Sequence, residues 1–364
     1  MKRLELVVSL KTILQNAREI RSRVRPGVRV MAVVKANAYG HGAAQVARAL
    51  EEAALCDAFA VATPQEGAGL RDAGIALPVV VLGCAGDDAA LSVEYGLSQA
   101  VCSADELLLM ESAAKEQGKP AKAHLKIDTG MSRIGVRGAE ALSQLLDVWS
   151  RCPRVQMEGM FTHFCAADED AHFTRAQADA FREAAETVRA RGFSPIRHAA
   201  ASTAMLNPEY AFDMVRAGIA LYGTGVKALR GIVRPAQTLI SHPVRVFQID
   251  EGDTVGYGRA FTARRRTTVI TVPCGYGDGY PRALSRRACV LANGRRLPII
   301  GNVCMDMLMA DATDAGEVTR DTPVVLLGAQ GNERITPDEL AEQAGTIPYE
   351  IMLGFGSRVS RAFT

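Results

Sequence analysis

Four segments of this chain gather cations, glycines and hydroxyls in patterns that suit a small phosphorylated molecule. The first is Val33-Val34-Lys35-Ala36-Asn37-Ala38-Tyr39-Gly40-His41-Gly42. Lys35 follows an apolar run, so it is expected at a strand end, with Tyr39 and two glycines crowding the same spot. The second, Lys126-Ile127-Asp128-Thr129-Gly130-Met131-Ser132-Arg133, puts two cations and an acid on one loop. The third is Thr162-His163-Phe164. The fourth pairs Ser202 with Arg216-Ala217-Gly218-Ile219, and serine and glycine beside free backbone N–H groups are what a phosphate cradle needs. A lysine that can lose its proton attacks aldehydes. Lys35 beside such a cradle therefore suggests a phosphorylated aldehyde held covalently, with pyridoxal 5'-phosphate the obvious candidate. Each segment also has a plainer reading: a surface lysine, a salt-bridged turn, a packed histidine, a tight turn at Gly218. Aldolase-type barrels use a lysine as well.

The elements that must position these residues alternate. Strand-like runs are expected at 29–34, 58–62, 78–82, 98–102, 123–127, 155–162, 195–199 and 214–221. Helix-like segments lie between them, including 42–54, 103–117 and 174–191. Ser103 with Glu106 three residues on is a capping-box pattern. Such alternation argues for parallel strands with crossover helices. Eight units match an α/β TIM (β/α)8 barrel better than an open doubly wound sheet, which more often has about five or six strands. In a barrel, chemistry sits at the C-terminal strand ends, where Lys35, Lys126, His163, Ser202 and Arg216 all fall. Near Ile232 helical periodicity almost disappears until 336–344. Strands are expected at 244–249, 267–272, 289–292, 297–300 and 323–327, with Asn293-Gly294 a strong hairpin signal. The expected division is a barrel over 1–231 and a mostly β domain over 232–364.

Composition narrows the function classes. The 364 residues are 48% hydrophobic and 23% charged, which excludes a mainly disordered chain. A net charge of +2 carries no polyanion-binding signature, so no nucleic-acid partner is expected. The longest apolar runs are too short to span a bilayer, and residues 1–10 lack a signal-peptide core. Eight scattered cysteines without a C-x-x-C pair suggest neither a disulfide framework nor a zinc cluster. The expectation is a cytoplasmic protein with reduced thiols, no membrane partner and no metal.

The motifs together resemble those of the alanine racemases, the fold-type III pyridoxal phosphate enzymes. Residues 33–42 resemble their cofactor-lysine signature, 126–131 their K-[IV]-D-T-G-M, and 159–164 their G-[LM]-x-T-H-[FL]. Residues 215–223, 275–279 and 301–306 resemble V-R-x-G-I-x-L-Y-G, G-Y-A-D-G and G-x-V-C-M-D. The resemblance implies a homodimer whose active sites join one subunit's barrel to the other's β domain, acting on a small amino acid to supply D-alanine, a peptidoglycan precursor. It implies that Lys35 holds the cofactor and is one catalytic base, and that Tyr276 is the opposing base. It further implies that Arg216 binds the pyridine nitrogen, that Tyr39, Ser202, Gly218 and Ile219 bind the phosphate, and that His163 bridges Tyr276 and Arg216. Arg133 and the Met305 backbone N–H would bind the substrate carboxylate. Lys126 matches a lysine that is carbamylated in some members. Three positions depart from the pattern: Ala201 stands for a usual Asn, Ser357 for a frequent phosphate-contacting Tyr, and Met307 for a frequent Gln. These departures open an alternative, a serine or broad small-amino-acid racemase of the same family. A pyridoxal phosphate carrier without turnover is the rival of another class, but such carriers lack the β domain.

Overall fold

The computed structural model describes residues 2–84, 86 and 88–364. Eight parallel strands form a nearly closed barrel. Their hydrogen-bonded order is Ile196–His198, Val155–Phe161, Ala121–Lys126, Ser98–Val101, Val79–Cys84, Ala58–Val61, Arg29–Val33, Met214–Ala217. The seam between the first and last of these has no ladder. It is bridged by Asp213 N–H donating to Arg197 O (3.1 Å) and Arg216 N–H to Ala200 O (2.9 Å). Every strand expected over the first two thirds is present. Ala58–Val61, Ser98–Val101 and Met214–Ala217 are buried on both faces, as strands between a packed interior and a helical shell must be.

Local signals placed the helices well. The Ser103 capping box forms in both directions at the start of helix Ala104–Gln117. The long helix begins earlier than 174, at Ala171–Ala190, because the Asp170 side chain accepts the Phe173 N–H and fixes the first turn there. Asn293 and Gly294 form the two-residue hairpin turn, both with positive φ (52° and 70°), between Cys289–Ala292 and Arg295–Ile300.

The second sheet has ten strands, five of which the sequence did not reveal: Leu4–Val8, Gln237–Ser241, Leu308–Asp311, Glu333–Ile335 and Ser360–Phe363. Leu4–Val8 pairs antiparallel with Gln237–Ser241 and parallel with Ser360–Phe363. The division at 231/232 puts residues 4–8 with the barrel, but their hydrogen bonds place them in the β domain. Strand alternation shows that Leu4, Leu6 and Val8 face a core, not which core. Among the described residues no helix is long and apolar enough to cross a membrane.

Candidate active site

Lys35 follows the barrel strand Arg29–Val33 and opens a turn that is left-handed over four consecutive residues. Ala36, Asn37, Ala38 and Tyr39 have φ of 51°, 53°, 55° and 53°. Such backbone costs roughly 1–2 kcal/mol per residue for non-glycine types, so the surroundings must impose it. Glu66, on helix Pro64–Asp72, accepts the Ala36 N–H at 2.6 Å and the Ala62 N–H at 2.7 Å, tying two strand ends together. Asn37 Oδ1 accepts the Ala43 N–H (2.8 Å), and buried His41 donates its Nδ1 proton to Ala38 O and Tyr39 O. Burial, with Arg133 and Arg216 nearby, pushes Lys35 below its ordinary value against the pull of Glu66. That favours the neutral, nucleophilic amine.

Lys35 lines a cavity of about 380 Å³ in the barrel mouth. Tyr39, Lys126, Arg133, His163, Ser202, Arg216, Gly218 and Ile219 line the same cavity, so one chain brings nine of the eleven expected site residues together. Ala201 also lines it, as do Phe161 and Tyr349. Among the described residues the lining holds four cationic residues, Lys35, Lys126, Arg133 and Arg216, and no aspartate or glutamate. Such a cavity suits a ligand bearing anionic groups.

One end of it is shaped as a cradle. Ser202 Oγ accepts the Gly218 N–H at 2.9 Å and lies 3.4 Å from the Ala220 nitrogen. A Cβ on Gly218 would lie 2.9 Å from the Tyr39 hydroxyl, so glycine keeps open the space between Tyr39 and Ser202. This open, hydroxyl-lined gap beside backbone N–H groups fits a phosphate.

Arg216 is fully buried and donates to the carbonyls of Thr162, His198 and Ala199, each at 2.8 Å. It also donates to Nδ1 of His163 and of His198, both at 3.0 Å. A guanidinium only donates, so both rings present an unprotonated Nδ1 and are neutral. His163 is accordingly driven down to about 3, by burial first and Arg216 second. His198 then offers its Nε2 proton to His124 Nδ1 (2.8 Å). Burial and the Arg133 charge lower Arg216 itself to about 9, which leaves it charged at neutral pH. Lys126 is buried, donates to Ile127 O at 2.7 Å and sits 5.4 Å from the Phe161 ring centroid. Burial, then Arg216, lowers it to about 8.

Tyr276 and Met305 do not line this cavity. They meet each other in the β domain, where Tyr276 N–H donates to Cys304 O (3.0 Å) and Gly277 N–H to Met305 O (2.8 Å). Buried Asp278 braces the turn by accepting the Gly275 N–H at 3.1 Å and pairing with Arg3. Tyr276, Met305 and Met307 are 43%, 53% and 45% exposed. Of the expected bridge from Arg216 through His163 to Tyr276, the chain forms the first half. Ser357 is exposed and lines no part of the cavity. Tyr349, on helix Pro348–Leu353, does line it, with its ring 5.8 Å from that of Tyr39.

The sequence reading missed Glu66, His124, His198 and Tyr349. Glu66 had a signal, since Thr63 and Glu66 have capping-box spacing. The two histidines had none, because their partners are 74 residues apart.

Comparison with known proteins agrees with this geometry. Residues 8–225 match the family model of the alanine racemase N-terminal domain, and residues 236–363 that of the alanine racemase C-terminal domain. The chain is 41% identical to an alanine racemase of Symbiobacterium thermophilum, over 98% of this chain and 96% of that protein. It is 37% identical to one of Halothermothrix orenii, over 98% and 95%. A solved alanine racemase of Clostridium difficile 630 superposes with a TM-score of 0.94 at 32% identity, covering 100% of this chain and 96% of that one. One from Bacillus anthracis, solved with bound L-Ala-P, superposes with a TM-score of 0.93 at 33% identity, over 100% and 95%. The fold is that of a barrel-type racemase. The chain belongs to the alanine racemase family.

Proposed function

We propose that this protein interconverts L- and D-alanine with pyridoxal 5'-phosphate, by proton transfer at Cα between two bases. The observation that carries the reading is the acid-free, four-cation cavity with the Gly218 cradle at one end and the depressed lysine Lys35 on its wall. The relatives named alanine racemase favour alanine over serine.

The residues present fit the cofactor. Lys35 would hold it covalently, Tyr39, Ser202, Gly218 and Ile219 would take its phosphate, and Arg216 would donate to the pyridine nitrogen. When bound, the cofactor draws electron density from the substrate and so makes the Cα proton removable. The rest is done by the chain. Arg133, with the Met305 backbone N–H of the partner subunit, orients the substrate carboxylate. Lys35 moves the proton on one face and Tyr276 of the partner subunit moves it on the other. Arg216 stays protonated and donates without surrendering its proton, which limits electron withdrawal and so side reactions. Lys126 in carbamylated form would give Arg133 a fixed anionic partner.

The exposed Tyr276, Met305 and Met307, set apart from the barrel cavity, support a homodimer in which each β domain completes the other's site. We place this activity in the cytoplasm as a source of D-alanine for peptidoglycan. Purified holoenzyme incubated with either alanine enantiomer should drive the mixture to equal amounts by chiral chromatography. Borohydride reduction and peptide mapping should then find the cofactor on Lys35. A static enantiomer ratio, or an adduct on a different lysine, sinks the reading.

A further inference from the structure

Two thiols lie just behind the cavity wall and take no part in the chemistry above. Cys84 ends the strand Val79–Cys84, directly after Gly83, which lines the cavity. Cys102 follows the neighbouring strand Ser98–Val101. Their sulfurs are 2.9 Å apart, both residues are partly exposed, and both are free thiols. A disulfide needs S–S of about 2.03–2.05 Å, a closure of less than an ångström.

The pair is chemically unequal. The two thiols share a hydrogen bond in which either can donate, and that sharing lowers the Cys102 pKa while, with burial, it pushes Cys84 up. Cys102 is therefore the nucleophilic member and Cys84 the one that keeps its proton. Glu106 completes the cluster. One of its oxygens accepts the N–H groups of Cys102 (2.6 Å) and Ser103 (3.2 Å), and the other accepts from the Cys102 thiol at 3.7 Å.

Three such donors within 4.8 Å of one another also resemble a cation site. A structural zinc takes four ligands, and Glu106 is already committed to two backbone N–H groups. Lys126 adds positive charge beside Cys84. These features favour an electron-rich sulfur pair without a cation.

We propose that Cys84 and Cys102 form a modification site, a dithiol that closes to an intrachain disulfide by exchange with a small-molecule disulfide. The Cys102 thiolate attacks one sulfur of the small disulfide, forming a mixed disulfide and expelling one small thiolate. That thiolate takes up the Cys84 proton. Cys84 sulfur then attacks Cys102 Sγ, forming the intrachain bond and expelling the second small thiolate. The protein pair is oxidised by two electrons and the small disulfide is reduced by two.

The site is coupled to substrate binding through Gly83, which lines the cavity directly before Cys84. Closing the disulfide draws the two sulfurs together by nearly an ångström. Gly83 has little room to absorb that movement, because a Cβ there would lie 2.5 Å from the Ala62 carbonyl oxygen. The cavity wall therefore adjusts with the disulfide. This coupling rests on the proposed use of the cavity, whereas the disulfide does not.

The test exposes holoenzyme to excess oxidised glutathione and maps peptides without reduction. The expected product is a Cys84–Cys102 cross-link with the loss of two hydrogens, reversed by dithiothreitol. The Cys84→Ser variant should stop at a glutathione adduct on Cys102, and Cys102→Ser should give neither product. In the oxidised wild type, KM for alanine should rise roughly fivefold or more, the low end of ordinary coupling energies, with kcat less affected. Cys84 and Cys102 both still open to alkylation after treatment would overturn the proposal. So would a tightly held zinc that shields both thiols in the reduced protein. A cross-link that leaves KM unmoved overturns the coupling to the cavity and retains the modification site.

Discussion

Tyr276 and Lys35 are asked to do complementary work, and a single atom separates the outcomes. Tyr276→Phe removes only the phenolic oxygen of a half-exposed ring, so folding and cofactor binding should be little changed. In deuterated water the variant should still exchange the Cα hydrogen of D-alanine, through Lys35, and lose most exchange from L-alanine. Racemization should fall steeply in both directions, because each turnover uses both faces. Near-normal racemization by this variant would remove Tyr276 from the mechanism. Lys126 makes a second residue-scale prediction. Its pKa is lowered from 10.5 to about 8, by burial and then by Arg216. Only the neutral amine takes up carbon dioxide, so carbamylation should increase as pH rises through about 8. Carbon-13 bicarbonate should give a carbamate resonance that follows this profile and vanishes in Lys126→Ala. A profile centred on the ordinary lysine value would show that burial does not control the amine. The sign for stability is the same. Between about 8 and 10.5 the unfolded chain holds the proton and the native chain does not, so Lys126 contributes stability that rises with pH across that window.

The cradle is a property of elements. Gly218 ends the strand Met214–Ala217, Ser202 follows Ile196–His198, and Tyr39 closes the left-handed turn after Arg29–Val33. Three separate strand ends thus meet in one gap. Gly218→Ala adds a Cβ 2.9 Å from the Tyr39 hydroxyl, at φ −109° and ψ −108°, a pair outside the ordinary α and β regions. Circular dichroism should show the barrel still folded, with the strain confined to this turn. Affinity for pyridoxal 5'-phosphate, read by fluorescence titration of the apoprotein, should fall by about tenfold or more, equivalent to about 1.4 kcal/mol. Unchanged affinity would place the phosphate elsewhere.

At the scale of the whole molecule, the nine barrel residues line the mouth cavity, and the exposed Tyr276–Met305 pair stands outside it. If sites are shared between subunits, mixing Lys35→Ala with Tyr276→Phe protein should produce heterodimers with one sound site and one doubly defective site. Activity should reappear after verified subunit exchange, where each parent alone has little. No recovery would mean that each chain builds its own site.

The sequence by itself determined the barrel, because strand alternation and capping boxes are local: Ser103 with Glu106 and the Asn293-Gly294 turn act within a few residues. It also determined most of the residues that line the barrel mouth, since in a parallel barrel a residue at a strand's C-terminal end has nowhere to go but the mouth. What it could not contain was pairing over distance. Leu4–Val8 reads as any half-buried strand until Gln237–Ser241 and Ser360–Phe363 claim its two edges. His124 and His198 look like isolated histidines until the barrel curvature sets them 2.8 Å apart under Arg216. Cys84 and Cys102, scattered along the chain, become a pair only because their two strands are neighbours in the sheet. Which polar groups share a proton depends on ångström separations between distant segments, and those are fixed only when the whole core packs.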